Sequence, residues 1–284
     1  MHHICRKKFK LNIATIILML TSGGLSIHGE FSDILRKLDP PDTTAKVFLP
    51  GIVSSPEMEY GLTVTQDWSE IYFNRETTIM MLTCSDEGIN PPIAAPFSGH
   101  FIDGHPCLVP GDSMLVFVSR RPCAGAAEVL NPWIVKRTEN GWSSPKSFGK
   151  PVIDQTIHAP SMSASGTLYA SGLIRLRPST TGYLPPEPLI PDIKGYTPAI
   201  AADESFIVFS AQREDSYGSK DLYVIFAKDN GRWSEPQNLG PGVNTEQYEG
   251  SPTLSVDGKY LFFSRHRDIW WVSIDVIEKL RNCE

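Results

Sequence analysis

One short pattern recurs five times along the 284 residues, and its spacing limits the fold more than any other feature of the chain. The copies are TQDWSEIYFN from Thr65, VPGDSMLVFVS from Val109, SASGTLYAS from Ser163, AADESFIVFS from Ala201 and SVDGKYLFFS from Ser255. Aligned on Phe73, Phe117, Ala170, Phe209 and Phe263, they are spaced by 44, 53, 39 and 54 residues. That period is the length of one four-stranded propeller blade. Before each turn lies a short stretch, most often with a proline (HPCLVPGD, HAPSMSASG, TPAIAADE, SPTLSVDG), which predicts an innermost strand joined to the second by a tight hairpin. A third apolar stretch follows, such as DLYVIFA from Asp221 or DIWWVSI from Asp268. A Gly-aromatic turn and a proline then mark an outer strand, as in GWSSP at Gly141, TGYLPP at Thr181, GRWSEP at Gly231 and a degraded EGINPP at Glu87.

The fifth copy runs out after its third strand, so its outer strand has to come from elsewhere. The segment VFLPGIVSSPEMEYGLTVTQD from Val47 resembles NLGPGVNTEQYEGSPTLSVDG from Asn238, which leads from an outer strand into the next blade. We therefore expect an all-β propeller of five four-stranded blades, with an N-terminal strand closing the last one. The alternative of six blades lacks an unassigned stretch of about 45 residues. Composition agrees: 41% hydrophobic residues suffice for a full core, and 22 glycines with 23 prolines, spread along the chain, suit many short elements between turns.

The repeats resemble the TolB-type WD-like β-propeller family over roughly residues 46–284, most specifically in SAQREDSYGSKDLYVIF, DGKYLFFS and DIWWV. The resemblance implies the propeller fold and an exported protein. The family propeller is usually six-bladed and carries a separate N-terminal domain, so its partners do not carry over. Two copies depart from the pattern: Trp68 replaces the turn glycine and Ala170 the usual aromatic.

Arg6, Lys7, Lys8 and Lys10 precede an apolar run from Leu11 to Leu20 that is too short to span a bilayer, the pattern of a secretory signal peptide. The expected organisation is a signal peptide over 1–28, a linker over 29–45 and the propeller over 46–284, in the periplasm or outside the cell, with no stable membrane span after cleavage. Removing residues 1–28 takes away four basic groups and no acidic ones, so the formal charge of −6 becomes −10. Such a surface repels phosphate backbones, which argues against nucleic acid. Cys84, Cys107, Cys123 and Cys283 show no metal-ligand spacing, and their pairing stays open. Nothing in the sequence demands a dimer, and a monomer is expected.

Propeller ligands meet the channel mouth. Counting back from each turn puts Glu59, Asp103 and Glu249 in one column at the start of the innermost strands, where Ile157 and Gly195 break it. Three converging carboxylates would bind a hard cation such as calcium, or a polyol or cationic group; alternatively, each holds its own blade entrance. His105 and His158, beside inner-strand prolines, complete the candidate set. Arg75, Arg120, Arg213 and Arg267 follow second strands and suggest contacts with aspartates such as Asp221 and Asp268. Trp142, Trp233, Trp270 and Trp271 are expected to pack between blades. The sequence has no GxSxG, HExxH, Walker or GxGxxG motif, so no cofactor is expected. The leading expectation is a non-enzymatic scaffold that binds a protein or glycan; the alternative is a carbohydrate-active hydrolase or lyase using channel-mouth carboxylates.

Overall fold

A computed structural model describes residues 40–85, 88–126, 130–155, 157–190, 193 and 195–282. The expected signal peptide, Glu87 and Cys283 lie outside the described residues. A two-residue strand, β1 (Lys46–Val47), opens the chain. Blade 1 consists of β2 (Glu59–Val64), β3 (Glu70–Arg75) and β4 (Thr78–Ser85), with the short outer strands β5 (Gly88–Ile89) and β6 (Ile93–Ala94). Blade 2 holds β7 (Asp103–Leu108), β8 (Met114–Ser119), β9 (Asn131–Thr138), β10 (Gly141–Trp142) and β11 (Lys146–Ser147). Blade 3 has β12 (Ser161–Met162), β13 (Leu168–Ala170) and β14 (Ile174–Leu176); a hairpin of β15 (Pro178–Ser179) and β16 (Gly182–Tyr183) leads to its outer strand, β17 (Glu187–Pro188). Blade 4 is β18 (Tyr196–Ile200), β19 (Phe206–Ala211), β20 (Asp221–Phe226) and β21 (Gln237–Asn238), and blade 5 is β22 (Glu249–Leu254), β23 (Tyr260–Arg265) and β24 (Asp268–Ser273). A short helix, α1 (Asp275–Arg281), follows.

The ring closes as the sequence predicts. β1 is the outer strand of blade 5, pairing Lys46 with Trp271 and Val47 with Trp270. Phe48 N–H donates to the Ile269 carbonyl at 2.8 Å, and Ser273 N–H to that of Asp42 at 3.0 Å. The edge of β24, which would otherwise present an open row of backbone groups, is thereby paired.

The blades are buried on both faces, which is why their second strands read as near-continuous apolar runs. Side chains alternate between two seams because the strand period is two. In β3, Ile71 and Phe73 enter the seam with blade 5, whereas Tyr72 enters the seam with blade 2. Five apolar clusters result, one per seam, and each binds two blades. Ala170, the residue that breaks the phenylalanine column, lies in a cluster that also takes in Val152 from a 3-10 turn.

The hairpin from first to second strand is the same in all five blades. Its fourth residue has a left-handed backbone, at Trp68 (φ 64), Asp112 (φ 54), Gly166 (φ 83), Glu204 (φ 63) and Gly258 (φ 71), and donates its N–H to the first. Glycine adopts this conformation freely; other residues need compensation. All three non-glycines reach a neighbouring blade. Trp68 Nε1 donates to Asp257 at 3.1 Å, Asp112 accepts the Gln66 N–H at 2.7 Å, and Glu204 accepts from the hydroxyl of Ser163 at 2.7 Å.

Candidate functional site

The innermost strands of blades 1, 2, 4 and 5 each contain a bulge, a one-residue excess over the partner strand. Gly61 (φ 56), His105 (φ 50), Thr197 (φ 47) and Ser251 (φ 48) occupy the same left-handed position in it. In blade 2, Asn74 of the preceding blade fixes the bulge: its amide donates to the Asp103 carbonyl at 2.9 Å and accepts the His105 N–H at 2.6 Å.

Glu59, Asp103 and Glu249 are wholly buried at the start of these strands. An arginine takes each one: Arg75 meets Glu59 at 2.9 Å, Arg121 meets Asp103 at 3.0 Å and Arg265 meets Glu249 at 2.8 Å. Every one of these arginines also donates to a backbone carbonyl of the segment leading into the blade, at Ile52, Phe97 and Val243 respectively. A hydroxyl four or five residues before the carboxylate completes the clasp, from Ser55, Ser98 and Thr245. A buried carboxylate is tolerable only with such a complement of charge and hydrogen bonds. Burial pushes Glu249 above the ordinary carboxylate range against the pull of Thr245 and Arg265.

The sequence points the second-strand arginines at third-strand aspartates, but Arg75 takes the column carboxylate Glu59, and in blades 2 and 5 it is Arg121 and Arg265, not Arg120 and Arg267, that hold one. In blade 2 Asp103 lies opposite Ser119 and Arg121 reaches back to it from two residues further on; in blade 5 the bulge sets the partner. An unbulged count from the turn would set Glu249 against His266, and the extra residue sets it against Arg265. Arg267 instead reaches Glu76 at 3.4 Å, and Arg213 lies 3.8 Å from Asp215. Among the described residues Asp221 makes no arginine pair; it accepts the N–H groups of Tyr217 and Gly218 and the amide of Asn238. In blade 4 the column residue is Gly195, where a Cβ would stand 2.6 Å from the Leu173 side chain, so no carboxylate fits.

His105 is half-buried with its ring 4.9 Å from that of Tyr60, while His158 is exposed. Burial, reinforced by the field of His158, drives the His105 pKa down to about 4. Unfolded histidine titrates near 6.5, so between those values the unfolded chain binds more protons and stability falls as the pH falls. The expected loss from pH 6.5 to 4 is on the order of 3 kcal/mol at most. His105→Asn keeps a residue that tolerates the left-handed backbone and removes the titration. Urea unfolding at pH 7 and 4.5 should show a smaller pH-dependent loss in this variant, and an equal loss in both proteins would remove His105 as the cause.

Around the carboxylates, on the same face, sits a set of residues that a search for charge passes over. Met58, Ile102 and Tyr248 each immediately precede a column carboxylate, and Phe101, Tyr196 and Tyr217 lie beside them; all six are between 38% and 51% exposed. For Met58, Ile102 and Tyr248 the position one residue before the carboxylate column is a readable signal. The Lys220 ammonium lies 3.8 Å from the Tyr196 ring centre and 5.5 Å from that of Tyr248. Gly250 permits this, because a Cβ there would fall 2.5 Å from the Tyr248 ring. The tryptophans go to the seams: Trp271 is 3% exposed, and Trp142 donates to the Tyr72 hydroxyl at 2.8 Å.

Cys84, Cys107 and Cys123 are free thiols. Among the described residues no group of three or more His, Cys, Asp or Glu is placed to hold a metal ion, and no helix is long and apolar enough to cross a membrane.

No protein-family model and no curated protein matches the sequence. Among solved structures the chain is similar to a TolB from Agrobacterium tumefaciens, at 13% identity over 75% of this chain and 71% of that one, with a TM-score of 0.46. It is similar to TolB from Acinetobacter baumannii at 14% identity and a TM-score of 0.48, covering 78% of this chain and 55% of that one, about half its length. A gluconolactonase from Xanthomonas campestris matches at 10% identity and a TM-score of 0.48, over 82% of this chain and 95% of that one.

Proposed function

We propose that this chain is an exported, non-enzymatic propeller that binds a protein or glycan partner on the face where the innermost strands begin. The observation that carries this reading is the row of exposed apolar and aromatic side chains there, Met58, Phe101, Ile102, Tyr196, Tyr217 and Tyr248, around a channel whose carboxylates are each committed to an arginine. Tyrosines with an apolar body and a polar tip are the side chains that recognition surfaces favour. A glycosidase would need two carboxyl groups free to meet substrate, one of them as proton donor, and clasped groups are poor candidates for either role. Export rests on the basic and apolar N-terminus.

The test is retention of a partner from envelope extract by the full chain. A Phe101→Ala/Tyr196→Ala/Tyr248→Ala variant is expected to lose at least tenfold in retention, and an Ile93→Ala/Leu184→Ala variant, altered at exposed outer positions, is expected to keep it. Equal retention by both variants would move the site elsewhere on the ring, and release of sugar from any polysaccharide would overturn the non-enzymatic reading.

A further inference from the structure

A second opening into the ring lies at the opposite end from this face. A cavity of about 450 Å³ runs along the axis and meets the hairpin turns of blades 4 and 5 and α1. That size is ordinary for a small-molecule site. Its wall is mostly apolar. Pro106, Pro160, Pro198 and Pro252 stand in one column of the innermost strands, a collar with no N–H to offer, and Ile200 and Phe206 extend it.

The cavity coincides with a break in the stitching of the ring. One position of the innermost strand ties each blade to the next: Thr63 accepts the Leu108 N–H at 3.2 Å, Ser161 accepts the Ile200 N–H at 3.1 Å, the Cys107 thiol meets the Met162 backbone, and Thr253 donates to the Leu62 carbonyl. Blade 4 has Ala199 at that position, which has nothing to offer blade 5. The hairpin turns repeat the omission. Side chains tie blade 5 to 1, 1 to 2 and 3 to 4, but Gly258 faces blade 4 with no side chain. Among the described residues the seam between blades 4 and 5 is the one that lacks both ties.

The seam is crossed at the partner face by Lys220 against Tyr248 and by the Glu249 N–H on the Lys220 carbonyl, and at the cavity end by Arg281 of α1. Its guanidinium donates to Ser205 at 3.3 Å and lies 5.5 and 5.1 Å from the Phe206 and Phe226 ring centres. Among the described residues its buried Nε has no hydrogen-bond partner, and it is ion-paired with the Glu278 carboxylate at 3.6 Å, longer than a hydrogen bond. The other carboxylates at the mouth are engaged. Asp203 accepts the Ser205 N–H at 3.0 Å and also feels the Arg281 charge, and Asp257 accepts from Trp68 and from the Ser255 hydroxyl and pairs with Lys259 at 3.8 Å.

We propose that the seam between blades 4 and 5 is a binding site for a small amphipathic organic anion, its apolar body against the proline collar and its acidic head on Arg281. The inference is independent of the partner face at the other end of the channel.

The probes are 8-anilino-1-naphthalenesulfonate and its uncharged parent N-phenyl-1-naphthylamine, titrated by fluorescence against the full chain. One saturable site is expected for each. Arg281→Met should weaken the sulfonate at least tenfold and leave the amine within twofold. Ala202→Trp, at an exposed position on the cavity mouth, should abolish both with the melting temperature unchanged. On the unaltered protein, saturating sulfonate should slow iodoacetamide alkylation of Cys107, a wall residue, at least fivefold while Cys84 and Cys123 react as before. Sulfonate binding that leaves Cys107 unprotected overturns the site, as does binding insensitive to both substitutions. Equal weakening of the two probes by Arg281→Met overturns the assignment of the head group.

Discussion

Replacing Arg265 by methionine is expected to lower the free energy of unfolding by about 3–5 kcal/mol, because Glu249 then stays fully buried with no cation to meet it. The methionine keeps much of the arginine's apolar stem, so the loss reports charge and hydrogen bonding rather than packing. The Val243 carbonyl also loses its donor. Adding Glu249→Leu to the variant should recover much of the stability, because an apolar pair carries no desolvation penalty. Urea unfolding of the wild type, both single variants and the double variant measures the coupling. Additive effects would mean that the pair does not act as a unit and that the clasp description is wrong.

Phe48→Ala should cost a similar amount, about 3–5 kcal/mol, for a different reason. Phe48 is wholly buried next to the closing strand, with its ring centre 5.1 Å from Phe262 and 5.2 Å from Trp271. The truncation opens a cavity in the seam where blade 5 meets blade 1 and weakens the hold on β1. We expect amide exchange to accelerate most at β24, whose outer partner is then loosely held. Protection of β24 that survives the loss of Phe48 would show that the two-residue pairing closes the ring unaided.

Much of this architecture is written locally. The five turns, the alternation that feeds two seams and the likeness of the Val47 segment to the Asn238 segment are all short-range patterns, and they led to five blades and the closing strand. The clasps were half legible. The carboxylate column can be counted from the turns, but the pairing arginine depends on a bulge in blade 5 and on a side chain reaching back past Ser119 in blade 2, and neither leaves a mark in composition. Gly61, His105, Thr197 and Ser251 share that left-handed position without sharing a chemistry. Half of the exposed apolar row, Met58, Ile102 and Tyr248, has a mark in sequence one residue before the carboxylates, but exposure itself is a three-dimensional property. The unstitched seam needed the structure, since Ala199 is an ordinary core residue until its counterparts Thr63, Cys107, Ser161 and Thr253 are seen tying blades together.

The closure of the ring also sets an order of events. Ser54 and Ile269, 215 residues apart in sequence, hydrogen-bond each other where the first segment meets the last blade. Contacts of such separation form late and slowly, because a long loop must close before they are rewarded. During synthesis the early segment emerges without its partner, with Phe48 exposed, until blade 5 has followed it. A nascent chain therefore carries the Phe48 segment uncovered until blade 5 has emerged, and whatever shields that segment governs how much protein reaches the closed ring.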